Sequence, residues 1–260
     1  MAGHAIQLMD IPKNRVVITG PTVFDRYFQP LSETRENFLQ KRGLDPRKKT
    51  LFYAGHTSVV TYFDFLHVLV KLNQPGELLS NCNIIIRPYP HQKVNQWSGV
   101  KFFREKVASF PNLYISDPFE TSTDAFTTIH GSPLDTSTDE LHGILKYSDV
   151  MVNYFSTLGL EAAICDLPTI HIGYDPFTFQ ISPMAWASTG ARNTHNQDAL
   201  RRAASIIATS DMSLIQAIGS YLNNHDLNQE ERLDYARSEC EFLDGNATQR
   251  LAAMIEENMP

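Results

Sequence analysis

Residues 149–175 read as a strand, a turn, a helix and a second strand in close succession. Val150, Val152 and Tyr154 suit a short buried strand, and Thr169, Ile170 and Ile172 suit another. Between them Leu160, Ala163 and Ile164 give a helix one apolar face, Ser156 or Thr157 is placed to cap it, and Pro168 sets its stop. A helix that starts directly after a strand points free backbone N–H groups out of the sheet's carboxyl edge, where its dipole favours an anion. Ser156 and Thr157 add two hydroxyls there. Glu161 lies one turn on, on the same side as Thr157. A phosphate at the helix start brings a ribose near that carboxylate, which accepts hydroxyl hydrogens. A plainer reading stands beside this one: Ser156 is an N-cap and Glu161 complements the dipole.

The rest of the chain repeats the alternation. Residues 15–20 read as a buried strand ending in a glycine turn, 32–43 as a helix stopped by Gly43, and 50–55 as a strand closing on Gly55. A strongly apolar helix over 60–72 follows, then a strand over 83–89 that Pro88 and Pro90 end. Next come a helix over 97–109, a strand over 112–116 and a Thr/Ser/Pro-rich loop over 117–137. Ser137-Thr138-Asp139-Glu140 has capping-box spacing and starts a helix through Tyr147. Beyond Asp175 a second long loop (176–196) carries Phe177, Phe179, Met184 and Trp186, which either stack on a ligand or pack the loop. Helices are expected over 199–208, 212–223, 228–243 and 246–257, the last capped reciprocally by Asn246 and Gln249. The expected architecture is α/β, a Rossmann-like doubly wound parallel sheet with a helical C-terminal tail. Its expected divisions are 1–14 as a linker or the end of a preceding domain, 15–197 as the sheet domain, and 198–260 as the tail packed on it.

Composition narrows the function. A net charge of −7 argues against a general affinity for nucleic acid or anionic membrane. Cys82, Cys165 and Cys240 are far apart and odd in number, which fits neither a disulfide framework nor a zinc site and suits a reducing compartment. No apolar run reaches the length of a membrane span and the N-terminus lacks a signal-peptide core, so a cytoplasmic location is expected.

In a parallel sheet, ligands bind outside the carboxyl ends of the strands. Two turns there carry chemistry besides the first. Gly55-His56-Thr57-Ser58 offers close backbone approach and two donors to a phosphate, although an ordinary strand-to-helix turn is the favoured reading. Arg87-Pro88-Tyr89-Pro90-His91 sets a fixed charge and a titratable ring on a stiff platform, ready to meet a diphosphate or a leaving group. Its alternative has Arg87 in a structural ion pair and His91 solvated. His171, between two isoleucines, reads as a satisfied buried histidine. The sequence has no G-x-G-x-x-G, P-loop, G-x-S-x-G or H-E-x-x-H motif and no Asp-x-Asp. Neither a metal nor a cofactor is expected.

Several segments resemble GT-B glycosyltransferases in their C-terminal, donor-binding half, in the group around CDP-glycerol glycerophosphotransferases, capsule polysaccharide transferases and the UDP-GlcNAc 2-epimerase fold. Ile11 through Asp25 resembles the crossover into that half. Ile86-Arg87-Pro88-Tyr89-Pro90-His91 resembles an Arg-Pro-His-Pro turn, with Tyr89 in the histidine's place. The most specific match joins Ser148-Asp149-Val150, Asn153-Tyr154-Phe155-Ser156-Thr157, Glu161-Ala162-Ala163 and Leu167-Pro168-Thr169-Ile170. Residues 243–250 resemble an Asp-Gly-x-Ala-x-x-Arg ending. The resemblance implies a metal-independent transferase of surface polysaccharide synthesis, using a nucleotide-sugar or CDP-polyol donor and a carbohydrate or polyol-phosphate acceptor. By the same resemblance Ser156 and Thr157 hold the donor diphosphate and Glu161 the ribose. Asn153, Gly55, Thr57 and Ser58 complete the donor site, and His91 and Arg87 are the catalytic candidates. It further implies an acceptor domain, in a longer chain or a partner chain. The alternatives are an enzyme like the sugar-nucleotide 2-epimerases, or a non-catalytic nucleotide-binding remnant.

Overall fold

The computed structural model describes residues 10–55, 68–88, 105–108, 110–116, 136–174 and 194–259. Their centre is one sheet of six parallel strands in the order β3-β2-β1-β4-β5-β6. The strands are β1 (Thr50–Ala54), β2 (Asn83–Arg87), β3 (Leu113–Ile115), β4 (Val150–Asn153), β5 (Thr169–Ile172) and β6 (Ile206–Ala208). The four central strands are near-continuous apolar runs, as a sheet covered on both faces requires. Their alternate residues feed two cores. Leu51, Tyr53, Ile84, Ile86, Val150 and Val152 pack on one face, while Phe52, Ile85 and Met151 pack on the other.

The helices are α1 (Arg35–Gln40), α2 (Thr136–Tyr147), α3 (Leu158–Ile164), α4 (Thr194–Arg201), α5 (Asp211–Asn223), α6 (Gln229–Cys240) and α7 (Ala247–Asn258). Of the helices expected over 60–72 and 97–109, residues 68–72 and 105–107 are described and helical. Gly43 ends the first helical segment as expected, at φ 72. Arg35 and Lys49 both reach the Asp149 carboxylate, which also accepts the N–H of Thr50 at 2.8 Å, so the turn into β4 is tied to the start of β1.

Four expectations are corrected. Residues 16–20 form no strand, and Val17 is 62% exposed. β1 already has β2 on one edge and β4 on the other, which leaves that apolar run no slot in the centre of the sheet. It lies instead against the last helix, where Arg250 Nε donates to the Thr19 carbonyl at 3.0 Å. The helix expected over 199–208 stops at Arg201, the chain turns through Ala203 at φ 56, and Ile206–Ala208 becomes the sixth strand. The sheet therefore draws on residues beyond 197. Asn246 makes no side-chain cap; the Asp25 carboxylate accepts from the N–H groups of Ala247 (3.0 Å) and Thr248 (2.7 Å) in its place. Finally, α2 starts at Thr136, ahead of the expected cap, and Glu140 turns away from the helix start. Its carboxylate takes hydrogen bonds from Tyr114 (2.9 Å) and Arg42 (3.3 Å).

Candidate functional site

The strand order reverses direction between β1 and β4, and in doubly wound sheets the crevice at that reversal is where ligands bind. Gly55 follows β1, and Asn153 through Ser156 follow β4, so both turns border the reversal. The β4–α3 turn is built with little freedom. Phe155 has φ 27, a conformation an L residue adopts at a cost, and its ring stacks on His171 with centroids 4.6 Å apart. His171 is 1% exposed and its Nδ1 lies 2.6 Å from Asn153 Oδ1. The amide oxygen only accepts, so the ring carries its proton on Nδ1. Asn153 Nδ2 then donates to Ser156 Oγ at 3.3 Å. The buried histidine expected from sequence thus has a definite task, which is to fix the turn that presents Ser156.

Ser156 Oγ also accepts the N–H of Leu158 at 3.3 Å, leaving its own O–H to donate elsewhere. Thr157 is exposed and makes no side-chain cap bond. Both hydroxyls are where sequence places them. Helix α3, however, has only seven residues, so its dipole is a weaker attraction for an anion than a full-length helix supplies. It ends at Ile164, before Pro168; the chain then turns through Asp166 at φ 56, and Leu167 N–H closes on the Ala162 carbonyl at 2.8 Å.

Glu161 is partly buried in the first turns of α3. The Tyr27 hydroxyl donates to its Oε2 in a short contact, and among the described residues this is the one hydrogen bond of the Glu161 side chain. Burial pushes the Glu161 carboxyl above its ordinary value, which the Tyr27 bond and the charges of Arg26 and Arg87 only partly offset. A carboxylate has about four acceptor positions. Glu161 therefore keeps acceptor capacity that a neutral phenol does not fill. Tyr27, on the 3₁₀ segment Thr22–Phe28, was not among the expected site residues. Its partner lies 134 positions away and no local period marks it.

Arg87 departs from expectation. A stiff platform that presents its charge to a ligand needs Arg87 accessible, yet the residue is 7% exposed, with Nη1 donating to Ser116 Oγ at 2.6 Å and lying 3.6 Å from Glu140 Oε2. The ion-pair reading describes its place, because the side chain folds back along the sheet edge toward β3 and α2. Gly55 N–H is also occupied, donating to the Arg87 carbonyl at 2.8 Å as an extension of the sheet. Thr57, Ser58 and His91 lie outside the described residues, as do Phe177, Phe179, Met184 and Trp186. A cavity of about 420 Å³ opens beside the buried His142, lined by Arg26, Glu33, Arg42, Glu140 and Tyr147 among others.

Among the described residues no group of His, Cys, Asp or Glu is placed to hold a metal ion, and no helix is long and apolar enough to cross a membrane. Cys165, close to Glu161, is pushed up to about 12 by burial and so holds its proton at neutral pH.

No family model and no curated protein matches the sequence. Solved structures do match in fold. One is described as a UDP-N-acetylglucosamine 2-epimerase from Listeria monocytogenes, at 14% identity and TM-score 0.55, with 96% of this chain and 55% of that one covered. A second is the UDP-GlcNAc 2-epimerase of Neisseria meningitidis bound to UDP-GlcNAc, at 11% identity and TM-score 0.57, covering 96% and 58%. A third is the wall teichoic acid polymerase TagF, at 14% identity and TM-score 0.56, covering 99% and 55%. The fold is GT-B. The chain spans a little over half the length of these GT-B structures.

Proposed function

We infer that this chain binds the donor of a metal-independent transfer reaction, a nucleoside diphosphate linked to a sugar or a polyol. The observation that carries the reading is Glu161, a partly buried carboxylate beside the sheet's reversal point whose described partner is one phenol. Leaving an acceptor of that kind under-supplied is costly in an empty site, and a vicinal diol supplies two O–H donors at once. A ribose on Glu161 sets the diphosphate toward the β4–α3 turn, within reach of the Ser156 and Thr157 hydroxyls. During transfer, charge grows on the departing diphosphate. Donors already fixed in place stabilise that charge without reorganising, and the Asn153–His171 support of Ser156 serves this end. In this reading Arg87 acts at one remove, since its charge favours the ionised form of Glu161. The Neisseria structure holds UDP-GlcNAc and one TagF structure was soaked with CDPG, which makes uridine and cytidine diphosphates the first compounds to try.

The test is a thermal-shift panel of UDP, CDP, GDP and ADP on the chain, with and without EDTA. A ligand present at 100 times its Kd stabilises the fold by about 2.7 kcal/mol. One diphosphate is expected to raise the melting temperature, and to do so equally with the chelator present. No shift with any of the four, or a shift that EDTA abolishes, contradicts the reading.

A further inference from the structure

Tyr27 is delivered to Glu161 by backbone that is fixed at two points. Asp25, two residues earlier, is tied to the start of α7 by its bonds from Ala247 and Thr248. Phe28, one residue later, packs so tightly over Gly245 that a Cβ there would stand 2.7 Å from the Phe28 Cβ. Gly245 also has φ 70, so the contact is made at a position where glycine is strongly preferred. The Tyr27 ring meets the buried His142 ring edge-on, with centroids 5.4 Å apart. The side chain is therefore held along its length, and its hydroxyl reaches one oxygen of Glu161, Oε2, while Oε1 has no described partner.

We propose that Tyr27 is a positioning residue that clamps Oε2 of Glu161 and turns Oε1 toward the hydroxyls of a bound ribose. The proposal rests on the reading of Glu161 given above. A glutamate side chain has three rotatable bonds, and an unclamped carboxylate loses that freedom each time a ligand binds. With the clamp in place the carboxylate is already oriented, so a ribose gains a preorganised acceptor that a deoxyribose cannot use fully. The chemical class selected is a ribonucleotide over its 2′-deoxy counterpart. The residue that enforces the choice comes from the segment preceding the sheet, not from the β4–α3 turn.

Calorimetric titration of the full chain with UDP, CDP, GDP and ADP, each against its 2′-deoxy form, tests this. Three proteins are compared: the unchanged chain, Tyr27→Phe, which keeps the ring on His142, and Glu161→Ala. The unchanged chain is expected to bind one ribonucleotide roughly tenfold more tightly than the deoxy form, as a hydrogen bond to a charged group allows. In Tyr27→Phe that ratio falls by about threefold or more while the deoxy affinity holds, a pattern that general loosening of the fold does not produce. A ratio unchanged in Tyr27→Phe but lost in Glu161→Ala overturns the role of Tyr27 and keeps that of Glu161. Tighter ribonucleotide binding by Tyr27→Phe also overturns it, since the hydroxyl then competes with the ligand. Equal affinity for both sugars in the unchanged chain, or no binding at all, overturns the reading of Glu161 and this proposal with it.

Discussion

Arg232→Ala lowers the unfolding free energy by about 3 kcal/mol, near the lower end of the range for breaking a buried ion pair from one side. Arg232 is completely buried on α6. Its Nε and Nη2 donate to Asp166 Oδ1 at 3.1 and 2.9 Å, Nη2 also donates to the His225 carbonyl at 3.0 Å, and Nη1 donates to the Leu227 carbonyl. Gln229 adds a further bond to Asp166. Truncation strands two carbonyls and a carboxylate that left-handed backbone holds in place. The side chain of Asp166 is 28% exposed, so water recovers part of the loss. Arg232→Met keeps most of the volume and is expected to cost less. Urea unfolding measures both, and a fall in midpoint with an unchanged slope is the expected form. An alanine variant within about 1 kcal/mol of the parent contradicts this role for the Arg232–Asp166 pair. The consequence reaches the candidate site, because Asp166 lies just past the C-cap, Cys165, of the helix that bears Glu161.

Glu161→Ala is expected to weaken nucleoside diphosphate binding by roughly 10- to 100-fold, the worth of hydrogen bonds to a charged group. Its effect on the empty fold runs the other way. Burial raises the Glu161 pKa in the folded chain above the ordinary 4.5, so the native state favours the protonated form. The associated stability is present below pH 4.5 and is lost as pH rises through the raised value. At neutral pH the ionised carboxylate therefore costs stability. Glu161→Gln should accordingly melt above the parent at pH 7, with the gain vanishing below pH 4.5. A ligand whose hydroxyls donate to the ionised form binds more tightly as pH rises through the same window. Melting and titration across pH 4 to 8 read both signs, and a glutamine variant that binds as well as the parent removes the carboxylate from the site.

What sequence made legible follows from burial on two faces. Strands β1, β2, β4 and β5 are short apolar runs that only a covered parallel sheet accommodates, and they fall where their residue types place them. Edge structure was less legible. Ile206–Ala208 is a three-residue strand behind an Arg-Arg-Ala-Ala run that reads as helix, and it forms because β5 offers a free edge. Val16-Val17-Ile18 has the composition of a strand but meets a sheet with no central vacancy. The placement of Ser156, Thr157 and Glu161 beside one another was legible because one short strand-to-helix segment carries them all. Tyr27, the Asp25 cap and the ion pair of Arg87 were not, since each depends on a partner distant in sequence that no local pattern announces.

The decisive measurement is a crystal structure of the chain with the nucleoside diphosphate that gives the largest thermal shift. The expected result is a ribose with a hydroxyl on Glu161 Oε1, Tyr27 still on Oε2, and the diphosphate against Ser156 and Thr157. A nucleotide bound elsewhere, with Glu161 held by Tyr27 alone, contradicts it.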